Sequence, residues 1–180
     1  KISNSKIQVV SSVTISKLLK LLEVEKKDSE ISVIHLAEIL INYFKHAKVL
    51  DEYVEYSVEG LMYLSLYWKV RELIRMDVNL IKLFLAKLKE TSTDSTNINT
   101  SFQYGVLSIF SNLTKTRDTN DKESNSNTRN RLKTAASPKY GSNNEQENQE
   151  GITLFNRELL NDNKIVSTIA SLKSYKSGSN

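Results

Sequence analysis

Ser57-Val-Glu-Gly-Leu-Met-Tyr-Leu-Ser-Leu66 and Gln103-Tyr-Gly-Val-Leu-Ser-Ile-Phe-Ser-Asn-Leu113 decide how this chain is read. Each is an apolar segment of helical periodicity with one glycine inside it. Laying Gly60 on Gly105, a shift of 45 residues, pairs Leu61 with Val106, Met62 with Leu107, Leu64 with Ile109 and Trp68 with Leu113. The same helical phase twice at a fixed separation is an internal repeat, not an active site. A glycine inside a helix costs about 1 kcal/mol relative to alanine, so Gly60 is expected where another helix approaches closely.

A period of about 40 to 47 residues is that of armadillo and HEAT solenoids, in which units of two or three helices bury their apolar faces only against neighbouring units. The expected fold is therefore all-α, a right-handed superhelical solenoid of helix pairs and triplets. Composition agrees, since one proline and five glycines in 180 residues are too few for a turn-rich sandwich or barrel. The chain is long enough for one domain or for a slice of a larger protein, and Lys1 in place of methionine favours the slice. Twenty-five basic against 21 acidic residues leave a net charge of +4, too small an excess to argue for nucleic acid. No cysteine is present, which excludes disulfides, thiolate metal sites and a cysteine nucleophile. No apolar run approaches the roughly 18 residues of a membrane span, and no leader with a cleavage site opens the chain, so a cytoplasmic location is expected.

Taken in order, Ile15, Leu18, Leu19 and Leu22 predict a first helix over 6–24, with Val9-Val10 in it or leading into it. Asp28 or Ser29 is placed to cap a second helix buried along Leu36, Ile39, Leu40, Tyr43, Phe44 and Ala47. Asp51 opens a third helix that runs to about Trp68. A short helix over 69–76 follows, and then one starting at Asp77 or Asn79 with Leu80, Ile81, Phe84, Leu85 and Leu88 inward. Residues 91–99 read as a polar loop. Thr100 and Gln103 fit a capping box before a helix that buries Phe102, Val106, Ile109, Phe110 and Leu113. Between Thr116 and Glu150 the only aliphatic side chain larger than alanine is Leu132, too little apolar surface to offset the entropy of ordering. The domain reading is thus helical repeats over 1–115, a disordered polar insertion over 116–150, and a return to repeats over 151–180, with Ile165, Val166, Ile169 and Leu172 in the last helix.

Candidate chemistry is sparse. His35 and His46 are eleven residues apart on one helix, about 16 Å along its axis, too far to share a metal. They read as structural, packed in or at the edge of the core. No phosphate loop, H-E-x-x-H, G-x-S-x-G or paired-carboxylate arrangement occurs, so no catalytic residue, cofactor or metal is assigned and an enzyme is not expected. Glu52, Glu55 and Glu59 line up at helical spacing as a solvated face. Asn112-Leu-Thr114 lies inside an amphipathic helix, which discounts it as a glycosylation site. Around Tyr67-Trp68-Lys69 and Arg71, Glu72 and Asp77 dilute the basic field, so nucleic acid is not an expected partner. What remains is a surface. Off the buried stripes, Glu59, Tyr63 and Tyr67 of one helix match Tyr104, Ser108 and Asn112 of the other at the shift of 45. Stacked helices would set them in adjacent rows able to hold an extended peptide, the alternative being tyrosines packed at the core's edge with their hydroxyls in water.

The segments Tyr56-Ser-Val-Glu-Gly-Leu-Met-Tyr-Leu-Ser-Leu66, Val70-Arg-Glu-Leu73 and Tyr104-Gly-Val-Leu-Ser-Ile-Phe-Ser-Asn-Leu-Thr114 resemble the armadillo-repeat portion of the UCS family of myosin chaperones. In that family an "EGLAYLSL"-like helix leads into a second, and a "YGV…NLT" helix follows. The resemblance spans about 31–115, and the Asn- and Ser-rich insertion is similar to fungal members. It implies a cytosolic protein that folds or protects the myosin motor domain, often beside a heat-shock chaperone, with its myosin-binding groove largely in later repeats. The rival expectation is another armadillo or HEAT adaptor, for instance in transport, that binds a linear peptide.

Overall fold

The architecture follows from where the two glycines sit. The computed structural model describes residues 2–21, 32–47, 51–93, 100–115, 148–161 and 165–174. They form helices α1 (Ile2–Leu21), α2 (Val33–His46), α3 (Glu52–Leu64), α4 (Trp68–Met76), α5 (Val78–Thr93), α6 (Thr100–Leu113), α7 (Gln149–Asn161) and α8 (Ile165–Ser174), with no strand among the described residues. Helix α3 lies between α1 and α6, and α2 and α5 pack behind them.

A Cβ on Gly60 would fall 2.5 Å from Leu40 Cδ1 and 3.1 Å from Val13 Cγ2, so α1 and α2 both close on α3 at that point, as the sequence predicts. A Cβ on Gly105 would fall 2.7 Å from Val58 Cγ1, so α6 closes on α3 in the same way. Val13 and Val58 are themselves 45 residues apart. The repeat therefore has a third copy in α1, where Val9, Ser12, Val13 and Ser16 are buried like Val54, Ser57, Val58 and Leu61 of α3. The contacts Val13 to Gly60 and Val58 to Gly105, together with a hydrogen bond from Asn112 to Ser65, share one spacing and make the three helices parallel.

This corrects the phase expected for α1. Leu18 is 47% exposed, Ile15 and Leu19 are only half-buried, and the inward face is made of small residues. Buried hydroxyls need partners, and Ser16 Oγ donates to the Ser12 carbonyl one turn back, as Ser57 Oγ does to Tyr53. Small side chains here let the helix axes approach where leucines would hold them apart.

The second layer is aromatic at its centre. Phe44 of α2 lies 4.6 Å from Phe84 of α5 and 6.4 Å from Phe102 of α6, and Phe84 meets Phe110 at 6.2 Å, all between ring centroids. The inward residues expected for α5 are all buried, as are those expected for α6. Several boundaries differ. Asp28 and Ser29 lie outside the described residues, and the observed cap of α2 is Ser32, whose hydroxyl accepts from the His35 N–H. Helix α5 continues to Thr93, and the buried Thr91 hydroxyl donates to the Leu88 carbonyl one turn back. Gln103, expected in a capping box, instead donates its amide to Thr91 at 3.4 Å and ties α6 to the end of α5. The insertion expected over 116–150 lies outside the described residues except at its end, where Asn148 Oδ1 accepts from Gly151 N–H and starts α7. In α8, Val166 points outward at 61% exposed, while Ile165 and Thr168 are buried.

Helix ends are held by charge. Asp51 caps α3 through the Val54 N–H, and Asp77 caps α5 through the Leu80 N–H while pairing with Lys45 of α2. Partial burial raises the Asp77 pKa, but the hydrogen bond and charge of Lys45 and the Leu80 and Asn79 N–H groups outweigh it, so the carboxyl titrates below its ordinary range. Arg71 of α4 donates to the Leu66 carbonyl at 2.9 Å and to the Ser65 carbonyl at 3.3 Å, and Arg75 donates to the Leu113 carbonyl at 3.0 Å. One short helix thus occupies the negative ends of both α3 and α6.

Candidate functional site

Because α3 and α6 touch at glycine, the side chains flanking that contact stand apart and leave a groove of about 580 Å³. From α3 it is lined by Glu55, Tyr56, Glu59, Met62 and Tyr63, which share one helical face. From α6 come Thr100, Ser101, Tyr104 and Gly105. Three of the six predicted surface residues, Glu59, Tyr63 and Tyr104, meet here. Tyr104 is 68% exposed, and Tyr63 and Glu59 are half-buried. Glu59 holds Lys17 of α1 at 2.9 Å.

The other three do not join them. Ser108 is half-buried and does not line the groove. Tyr67, expected in the exposed row, is only 8% exposed: α3 ends at Leu64, and the chain has turned before Tyr67, which stands at the N-cap of α4. Helical phase carried past a helix end has no meaning. Asn112, also expected outside, is 9% exposed. Its Nδ2 donates to Ser65 Oγ at 2.9 Å and its Oδ1 accepts from Lys115 Nζ at 3.1 Å. Its amide is therefore spent inside the fold and not offered to a peptide. Against any family model, any characterised protein or any solved structure, the chain finds no match.

Glu55 and Tyr56 also belong to the groove, although the row matched at the shift of 45 holds only Glu59, Tyr63 and Tyr67 on this helix. The signal was present: 55, 56, 59, 62 and 63 follow the 3.6-residue period, and Glu55 was visible only as part of a solvated acidic line. Tyr56 meets Tyr53 edge-on at 6.0 Å, and Lys6 of α1 sits 4.3 Å above the Tyr53 ring, a cation–π contact.

The histidines do not form a site. Both are exposed rather than packed: His35 lies 3.7 Å from Glu38, and His46 Nδ1 is 2.8 Å from the Asn42 carbonyl, which fixes that nitrogen as the donor. Among the described residues no group of three or more His, Asp or Glu side chains could hold a metal ion. Of the basic residues near Trp68, Lys69 lies 5.3 Å from the indole and Arg71 caps α3. No helix among the described residues is long and apolar enough to cross a membrane.

Proposed function

We propose that the chain is a noncatalytic protein-binding scaffold: an armadillo/HEAT-like, right-handed superhelical solenoid of helix pairs and triplets. We place it in a cytoplasmic myosin-directed chaperone that helps fold or protect the myosin motor domain, with a heat-shock chaperone as co-worker. The observation that carries this reading is the unit used twice, valine on glycine between α1 and α3 and again between α3 and α6, with a side-chain-lined groove opening beside the second. Units that bury their faces only on neighbours generate extended binding surfaces. The quoted resemblance supports myosin as the client.

The test is suppression of thermal aggregation of a purified myosin motor domain, followed by light scattering, with direct binding measured by calorimetry. The full chain is expected to delay aggregation, and Tyr63→Ala with Tyr104→Ala to weaken binding by tenfold or more. Binding unaffected by that pair, or no binding at all, overturns the reading. The α3/α6 groove also favours a second reading, an adaptor for a linear peptide in another pathway such as transport. Peptide binding without any motor binding would select it.

A further inference from the structure

We propose that the outward face of α1 is a homodimer interface, which packs antiparallel on α1 of a second copy of this chain about a two-fold axis.

Ile7, Val10 and Leu18 are 62%, 43% and 47% exposed. With the exposed Ser11 and Thr14 they form one stripe at helical spacing, opposite the buried Val9, Ser12, Val13 and Ser16. Single exposed apolar residues are ordinary, but a stripe of them marks an interaction surface. The repeat shows that this apolarity is particular to α1. At the shift of 45 the stripe corresponds to Glu52, Glu55, Tyr56, Glu59 and Tyr63 of α3, so Ile7, Val10 and Thr14 stand where the next layer carries three carboxylates.

Ile15 limits what can cover the stripe. It holds the position of Gly60 and Gly105, where a Cβ would fall 3.1 Å from Val13 and 2.7 Å from Val58 of the preceding helix. An isoleucine there keeps a parallel helix from closing on α1 by the valine-on-glycine unit, so a further repeat does not fit this face in that mode. A second copy fits in the opposite direction. With the two-fold axis midway between Ser11 and Thr14, Ile7 lies across from the partner's Leu18 at both ends. The small Ser11 and Thr14 then meet at the centre, where the helix axes can approach. The Thr14 hydroxyl donates to the Val10 carbonyl at 2.9 Å, so covering it leaves that donor satisfied. The stripe itself is uncharged, since Lys17 is turned to Glu59 and Lys6 to the Tyr53 ring, both on α3. One helix pair is a small interface, so a dissociation constant on the order of 10 μM is expected.

Sedimentation equilibrium of the full chain, at concentrations above and below that value, is expected to show monomer and dimer and nothing larger. Leu18→Glu or Ile7→Lys should weaken the dimer at least tenfold, with helicity by circular dichroism unchanged. The two together in one chain set lysine across from glutamate at both ends and should recover part of the loss. Direction is read by cross-linking, because the chain has no cysteine of its own. Ile7→Cys and Leu18→Cys chains should form a disulfide when oxidised as a mixture and none when oxidised separately. In the antiparallel pair the two copies of residue 7 lie about 16 Å apart along the axis, beyond the roughly 7 Å that a disulfide spans. A monomer at every concentration, a dimer indifferent to Leu18→Glu, no recovery in the charge pair, or disulfides in the separate samples would each overturn the inference.

Discussion

Replacing Gly105 by alanine tests the packing unit directly. The new methyl carbon would lie 2.7 Å from Val58 Cγ1, about 0.8 Å inside an ordinary carbon contact of roughly 3.5 Å. Val58 is buried in mid-helix, where a β-branched side chain has one strongly preferred rotamer, so it cannot swing away and the helices must separate. Overpacking of this kind costs about 1–3 kcal/mol, against which helix propensity returns about 1 kcal/mol. A net loss of up to about 2 kcal/mol is expected, or up to about 8 °C in Tm for a chain of this size. The decisive assay is a double-mutant cycle by urea denaturation. Val58→Ala alone opens a cavity and should cost about 2 kcal/mol. In the Gly105→Ala background the added methyl fills part of that space, so the two losses should fall short of additivity by about 1–2 kcal/mol. Additivity within about 0.5 kcal/mol, or a Gly105→Ala chain that is more stable, would refute the close-packing argument. Gly60→Ala should cost less, because its nearest neighbour is the tip of Leu40, which has a second rotatable bond.

Three further outcomes follow from the helix ends and the polar tie. Arg71→Ala should destabilise the chain by about 1.5 kcal/mol by removing charge-assisted bonds to the carbonyls of Ser65, the C-cap of α3, and of Leu66 just beyond it, and Arg71→Lys should recover only part of it; equal stability of all three in urea would dismiss the cap. Asp77 titrates below its ordinary range, so its stabilising pairing with Lys45 is complete above that range and is lost as pH falls through it toward the lower folded value. Asp77→Asn keeps a capping oxygen for the Leu80 N–H but loses the charge, so its acid unfolding curve should be flatter than that of the native chain over that window. Asn112→Ala should cost about 1–2 kcal/mol, whereas Tyr104→Ala, at an exposed position, should change thermal stability by less than about 0.5 kcal/mol.

The helical class and most inward faces were legible because large apolar residues recur at the helical period. In α5, Leu80, Ile81, Phe84, Leu85 and Leu88 are all buried as their spacing predicts. Helix α1 was misread for the opposite reason. Its buried face holds two serines, which a search for apolar periodicity passes over, while Leu18 drew the phase outward. The repeat itself held the correction, since Val9, Ser12 and Val13 match Val54, Ser57 and Val58. Of the candidate surface, Glu59, Tyr63 and Tyr104 line one groove, in keeping with their shared helical phase. Tyr67 and Asn112 were misplaced because their positions depend on where α3 stops and on a side chain 47 residues away, neither of which local spacing encodes.

The arginines of α4 have a mechanical consequence. They fasten the C-terminal ends of α3 and α6 to one rigid element, and the bond from Asn112 to Ser65 adds a rivet at the same end. Along α3 the groove runs from Glu55 to Tyr63, close to the fastened end, while on α6 it is lined only by the N-terminal half, Thr100 to Gly105. The two helices are thus tied at one end of the groove, and Tyr56 and Tyr104 stand toward the end that carries no such tie among the described residues. Arg71 and Arg75 therefore set the separation of the two helices at the tied end.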